Sequence, residues 1–137
     1  MTSTGEFWQK NIEVTFPVST ADFKKFAELT GDDAAHHLDA SVAQSMGYRE
    51  AVSQGLLVLS ISGKASSEYL RAIGRNGVTY GYDRLRFPAP VYNGELLTIT
   101  YEPESINEKN VISSKVTVKT SNGDVAIAGT HLLKILD

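Results

Sequence analysis

The segment Gly55–Ile73, GLLVLSISGKASSEYLRAI, decides the fold. Its apolar residues go nearly all the way round a helical wheel: they are Leu56, Leu57, Val58, Leu59, Ile61, Ala65, Tyr69, Leu70 and Ile73. A helix that is apolar on most sides has to be buried on most sides. The apolar stretch at its start is interrupted by serines and is too short to span a bilayer. The sequence therefore predicts a long helix that the rest of the chain buries.

The sequence on both sides of this helix has β character. One strand is predicted before the helix and four after it, in segments rich in Val, Ile, Thr and Tyr; they are Ile12–Val18, Val78–Phe87, Glu95–Ser105, Val111–Thr120 and Val125–Leu136. The last four are separated by the turn-rich stretches APVYNG, NEKN and SNGD. We expect the last three strands to form an antiparallel meander.

One long apolar helix and five strands indicate an α+β fold. A curved antiparallel sheet can bury the helix by wrapping round it, which is the hotdog fold, although a generic α+β sandwich has the same order of elements. No linker or repeat divides the chain, so residues 1–137 are predicted to form a single domain. One hotdog unit leaves a sheet edge and a side of its helix open, so we expect a homodimer.

Two shorter helices are also predicted. STADFKKFAELTG begins at the candidate caps Ser19 and Thr20 and ends at Gly31. Its apolar residues, expected on the core side, are Phe23, Phe26, Ala27 and Leu29. The second helix is Asp39–Met46, which Gly47 stops.

The composition excludes several classes of function. The 137 residues carry a net charge of −3 and no run of Lys or Arg, so nucleic acid is not an expected partner. The absence of cysteine excludes disulfides, thiolate metal ligands and a cysteine nucleophile. The first residues, MTSTGEFWQKNIEV, lack the basic start and apolar core of a secretory signal. A soluble, cytoplasmic protein without a membrane anchor is the expectation.

The stretch LTGDDAAHHLDA, Leu29–Ala40, contains the candidate chemistry. Asp32 and His37 can converge on one water molecule, so that one group accepts its proton while the other orients it. The alternative is a solvated acidic loop that follows a helix. A metal site is disfavoured, because adjacent histidines point in different directions and the i, i+4 histidine spacing of zinc sites is missing. No metal is therefore expected.

Gly55 stands where the apolar helix begins. The first N–H groups of a helix have no partner within the helix and lie at its positive end. Glycine there lets a ligand carbonyl approach an N–H closely and form an oxyanion hole. Equally, glycine can simply provide a tight entry into a crowded helix.

Taken together, these residues resemble the MaoC-like hotdog family of (R)-specific enoyl-CoA hydratases and acyl-thioester dehydratases. The family pattern Gly-Asp-x-Asn-Pro-(aliphatic)-His-x-Asp, Gly-(aromatic), His-Gly-Met-Leu is similar to GDDAAHHLD, GY and QGLL, all in register. The later segment YDRLRFPAPVYNGELLTITYEP resembles the family's Arg/Lys-Phe-x-x-Pro-Val-x-x-Gly-Asp. The resemblance extends from about Ser19 to Leu136.

This resemblance implies reversible syn addition of water to a trans-2-enoyl thioester. It places the catalytic aspartate and histidine on Asp32 and His37, and the N–H that binds the thioester carbonyl on Gly55. The substrate is carried by CoA or by the phosphopantetheine of an acyl-carrier protein, and no further cofactor is implied. Gln54, Arg84 and Arg86 are the predicted substrate-binding residues, the arginines as candidates for the phosphates of the carrier.

Four positions depart from the family pattern. Ala34 and Ala35 replace the Asn-Pro pair, His36 replaces an aliphatic residue, and Gln54 replaces a histidine. Two other hypotheses therefore stay open: a hotdog thioesterase, in which Asp32 activates water against the carbonyl carbon, and a catalytically degenerate acyl-thioester-binding or partner subunit. His131 alternates with apolar residues in the last strand and is predicted to be structural.

Overall fold

The computed structural model describes residues 6–137. The strands are β1 Ile12–Pro17, β2 Gly77–Arg86, β3 Leu96–Ile106, β4 Val111–Lys119 and β5 Val125–Ile135. The helices are α1 Thr20–Thr30, α2 Ala40–Ser45 and α3 Gly55–Ile73, with a 3₁₀ turn at Ala35–His37. Residues 1–5, on which the predicted absence of a secretory signal partly depends, lie outside the described residues.

The five strands form one antiparallel sheet in the order β1-β3-β4-β5-β2. The predicted meander of β3, β4 and β5 is confirmed. Helix α3 packs against one face of the sheet and contacts β1, β3, β4 and β5. The curved sheet round a long central helix is thus the α+β arrangement that the apolar segment predicts.

The buried side of α3 is narrower than its composition suggests. Its buried residues lie on the side that faces the sheet; they are Leu57, Val58, Ile61, Ser62, Ala65 and Tyr69. Leu56, by contrast, is 56% exposed, and Leu59, Leu70 and Ile73 are only partly buried. One chain therefore covers only part of an apolar helix surface.

Two details of the sequence prediction are wrong. Leu29, expected on the core side of α1, is 84% exposed, because the buried positions of this short helix are Phe23 and Ala27. Glu95, expected to begin a strand, lies in the turn before β3, where its carboxylate accepts the Tyr92 N–H at 2.8 Å.

Strand β2 is an edge of the sheet. Val78 and Tyr80 on this strand are 50% and 70% exposed. Its pairing with β5 is interrupted twice, between Thr79 and Gly81 and between Asp83 and Arg86. An edge of this kind leaves main-chain N–H and C=O groups without partners in the sheet.

Among residues 6–137, no helix combines the length and the apolar character that crossing a membrane requires.

Candidate active site

The candidate site lies where the chain passes from α1 through the 3₁₀ turn and later enters α3. Helix α1 ends at Gly31, whose φ of 77° is in the left-handed region, and the Gly31 N–H donates to the Ala27 carbonyl. Glycine adopts this conformation without a Cβ penalty, which explains the residue at this cap. The turn places Asp32 beside the segment that contains His37.

The tautomer of His37 follows from its neighbour. Its Nδ1 lies 2.8 Å from the Val52 carbonyl oxygen, and a carbonyl can only accept. Nδ1 therefore carries the proton, and in the neutral ring Nε2 keeps its lone pair. The Val52 N–H also donates to the His36 carbonyl at 3.0 Å, so two hydrogen bonds join the histidine turn to Val52.

The Nε2 atom of His37 faces Asp32. The distance from Nε2 to Asp32 Oδ1 is 3.8 Å, which is too long for a direct hydrogen bond. One water molecule can contact both atoms at the usual distance of about 2.8 Å. The His37 side chain is 11% exposed and the Asp32 side chain 36% exposed, so the pair is reachable from solvent on the aspartate side. The two residues that the sequence singled out are therefore close together in space.

A cavity of about 340 Å³ extends from His37 to the start of α3, and Asp32 lies beside His37 without lining this cavity. Its wall includes His36, His37, Tyr48, Gly55 and Phe87. Gln54, which precedes the helix, provides no side-chain cap, so the N–H groups of the first turn are not covered by it. A larger groove, about 860 Å³, lies on the threonine-rich outer face of the sheet and contains none of these groups.

Gly55 has a packing role that the sequence left open. A Cβ atom at this position would lie 3.1 Å from Phe87 Cδ2 and 3.3 Å from Cε2. The Phe87 ring therefore packs directly on the glycine. Because Gly55 has no side chain, the Phe87 ring can pack against its Cα, and the N-terminus of α3 remains accessible from the cavity.

This contact gives a prediction for Gly55→Ala. Alanine is the better helix former, by about 1 kcal/mol in a helix interior, and this effect alone would stabilise the protein. Whether the substitution destabilises the protein therefore depends on the contact with Phe87. We expect a loss of about 1 kcal/mol in the free energy of unfolding, because the ring has to move. In the Phe87→Leu background the same substitution should be neutral or stabilising. Urea denaturation of the four proteins of this cycle measures the coupling, and an equal effect in both backgrounds contradicts the packing role.

The other predicted ligand-binding residues lie elsewhere. Gln54 is fully buried, and its Nε2 donates to the carbonyls of Phe23 and Asp32 at 3.0 and 3.1 Å. Its side chain thus binds the main chain beneath the site and does not line the cavity. Arg84 and Arg86 are exposed on β2 and do not line the cavity in one chain; the Arg86 guanidinium donates to the Leu85 carbonyl.

Two features of the site escaped the sequence prediction. The Val52 carbonyl that orients His37 is a main-chain group, and no residue type indicates it. The contact between Phe87 and Gly55 joins residues far apart in the chain, and only the family pattern contains both. Within residues 6–137, no three His, Asp or Glu side chains converge on a position that could hold a metal ion.

Residues 8–125 match the family described as MaoC like domain. An (R)-specific enoyl-CoA hydratase from Aeromonas caviae is 26% identical over 116 residues, which are 84% of each protein. Two relatives from Streptomyces avermitilis and Streptomyces coelicolor, each named a UPF0336 protein, are 26% identical over 95 residues, or 66% of this chain. The chain spans 63% of the length of these two proteins.

Solved structures show the same architecture. The (R)-hydratase from A. caviae involved in PHA biosynthesis superimposes with a TM-score of 0.83 at 22% identity, covering 93% of this chain and 96% of that one. The R-hydratase PhaJ1 from Pseudomonas aeruginosa has a TM-score of 0.76 at 25% identity, covering 94% and 81%. The fold is the hotdog fold, as predicted. The chain belongs to the MaoC-like domain family, which includes hydratases and dehydratases.

Proposed function

We propose that this protein catalyses the reversible hydration of trans-2-enoyl thioesters to (R)-3-hydroxyacyl thioesters. One observation carries the proposal: His37, whose Nε2 lies 3.8 Å from Asp32 Oδ1, lines a cavity that also reaches the N-terminus of α3. The relatives named (R)-hydratases support the choice of reaction. The substrate carrier is CoA or an acyl-carrier protein, and no other cofactor takes part.

The proposed roles follow from the geometry of the pair. The lone pair of His37 Nε2, set by the bond to Val52, and the Asp32 carboxylate hold a water molecule and accept a proton from it. The water oxygen forms the bond to Cβ while the π electrons move toward the thioester. A proton from the same pair then reaches Cα on the same face, which completes the addition of one water.

The start of α3 stabilises the charge that develops on the thioester oxygen. The Gly55 N–H and the positive end of the helix dipole point to this position in the proposed complex. Losing one such donor typically raises a barrier by roughly 3 to 4 kcal/mol. The acyl chain extends along α3, in a tunnel that a second copy of the chain completes.

A homodimer joined through β2 is part of the proposal. The support is the open edge of β2, with Val78 and Tyr80 exposed, and the incompletely covered α3. Arg84 and Arg86 lie on this strand, so pairing through it puts them at the interface, and we keep them as proposed contacts for the carrier phosphates.

Sedimentation should therefore give twice the chain mass of 14.9 kDa. Tyr80→Lys introduces a charge at the proposed interface and is expected to shift the protein toward the monomer. Leu29→Lys is the matched control, because Leu29 is an exposed apolar residue on α1 and should leave the dimer intact. A wild-type monomer, or dissociation by both variants alike, contradicts pairing through β2.

The proposed reaction is distinguished from hydrolysis by two assays run in parallel. Loss of the enoyl-thioester absorbance reports hydration, and release of free thiol reports thioester hydrolysis. We expect loss of absorbance with short or medium trans-2-enoyl-CoA and no thiol from saturated acyl-CoA. Thiol release would indicate the thioesterase, and binding without either reaction would indicate the acyl-thioester-binding or partner subunit.

A further inference from the structure

Gln54 joins the two halves of the candidate site. Its Nε2 group donates both hydrogens, one to the Phe23 carbonyl of α1 and one to the Asp32 carbonyl. The side chain is fully buried, and it belongs to the residue directly before Gly55. One amide therefore links the backbone of the candidate aspartate to the N-terminus of α3.

The orientation of this amide is determined by its partners. Both neighbours are carbonyl oxygens, which accept hydrogen bonds and do not donate them. A flipped amide would place Oε1 against two acceptors, so only the NH₂ group fits there. Oε1 has no hydrogen-bond partner although it is buried. Burial of an acceptor without a protein partner costs free energy, which the two bonds donated by Nε2 offset.

Asp32 has little other support. The Asp32 N–H donates to Thr30 Oγ1 at 3.1 Å, a bond within the same turn. Ala34 and Ala35, two and three residues further on, have no polar side-chain atoms. Among the hydrogen bonds of residues 6–137, the bond from Gln54 is the only one that ties the segment 31–35 to a distant part of the chain. Local bonds join the same segment to the histidine turn, among them that from the His37 N–H to the Ala34 carbonyl at 3.0 Å, and Gln54 adds the link from Asp32 to the start of α3.

We propose that Gln54 is a positioning residue, which holds Asp32 at the distance from His37 that the reaction requires. This inference rests on the proposed function. It replaces direct substrate binding by Gln54, which the sequence suggested, with action through the main chain of Asp32. Displacing a catalytic group by about 1 Å can lower a rate by about 10²-fold, so the effect should be measurable.

The test compares kcat and KM of variants on trans-2-enoyl-CoA. Gln54→Ala should lower kcat by about 10- to 100-fold while KM changes by less than about threefold, since the cavity wall is retained. Gln54→Glu has nearly the same shape but no N–H, and should be at least as impaired. Gln54→His, whose ring supplies one N–H donor, should recover part of the lost kcat.

Tyr69→Phe is the control for structural damage. The Tyr69 hydroxyl donates to the Trp8 carbonyl, so this variant also removes a buried bond from α3 to a distant main-chain group. It should lower the melting temperature and leave kcat near that of the wild type. A Gln54→Ala protein with kcat within about twofold of the wild type overturns the inference, and so does an equal loss of kcat in Tyr69→Phe.

The activity of the wild type in the same assay distinguishes failure of the positioning role of Gln54 from failure of the proposed function. If the wild type hydrates the substrate and Gln54→Ala does so equally well, only the positioning role is overturned. If the wild type hydrates none of the substrates, the proposed function is overturned and the positioning role with it.

Discussion

Asp32→Asn and His37→Ala should each lower the rate of enoyl-thioester hydration by about 10²- to 10⁴-fold, the usual contribution of general acid–base catalysis. Asparagine keeps the shape of Asp32 but cannot take a proton from water. Alanine at position 37 removes the Nε2 lone pair that lies 3.8 Å from Asp32 Oδ1. Because both groups serve one water molecule, the double variant should be hardly slower than the slower single variant.

The control for these variants is Asp33→Asn. Asp33 has the same charge and is adjacent in sequence, but it is exposed and has no ion pair with His37. Its loss should change the rate by less than about threefold, which a surface charge can account for. Initial rates of absorbance loss at saturating substrate are measured for all five proteins: the wild type, the two single variants, the double variant and Asp33→Asn. An Asp32→Asn protein that is as active as Asp33→Asn would exclude Asp32 from the chemistry.

Acidification should destabilise the folded protein through His131. Burial lowers the pKa of His131 from 6.5 to about 4, since the charged imidazolium is desolvated. In the folded state Nδ1 is bonded to the Tyr101 hydroxyl at 2.7 Å and Nε2 to Thr79 Oγ1 at 2.9 Å. The predicted structural role of His131 agrees with this buried network between β2, β3 and β5.

The direction of the pH effect on stability follows from the pKa of His131 in the unfolded chain, 6.5, and in the folded protein, about 4. Between pH 6.5 and about pH 4 the unfolded chain binds a proton at His131 that the folded chain does not, so stability falls as the pH falls. The total loss through this histidine is about 3 kcal/mol. At pH 7 the ring is neutral in the folded state and mostly neutral in the unfolded state, so this contribution is small there.

The matched variant for this prediction is His131→Gln, which keeps a polar side chain in contact with its neighbours but does not titrate. It should be less stable than the wild type at pH 7 and should lose much less stability between pH 6.5 and pH 4. Urea denaturation at several pH values gives both slopes. Parallel slopes for the two proteins would mean that His131 is not the group responsible.

The central helix and the strands could be predicted because their patterns are periodic. The nine apolar residues of α3 predict a central helix, although one chain buries only the side of it that faces the sheet, and the alternation in the meander defines its faces. Leu29 was misplaced because a helix of eleven residues has room for few buried positions, and the helix rotation depends on packing. The spacing of apolar residues alone does not determine how α1 is rotated about its axis.

The candidate site could be predicted only in part. The short spacing of Asp32 and His37 already limits their separation, whereas the hydrogen bonds of Gln54 span 22 and 31 residues. Arg84 and Arg86 remain predicted contacts for the carrier phosphates, and the extra residue in β2 between Asp83 and Arg86, which changes the direction of the side chains there, is not indicated by the sequence. Arg84 itself has a φ of 53°, a left-handed conformation that arginine rarely adopts and that its sequence does not indicate.

The most direct test of the proposed function is the configuration of the product formed by the wild-type protein. Crotonyl-CoA is incubated with the enzyme, the product is hydrolysed, and the 3-hydroxy acid is resolved on a chiral column. Because relatives of this chain are named (R)-hydratases, the proposed function predicts a single product, the (R) enantiomer. The (S) enantiomer, a racemate, or unchanged crotonyl-CoA would contradict the account.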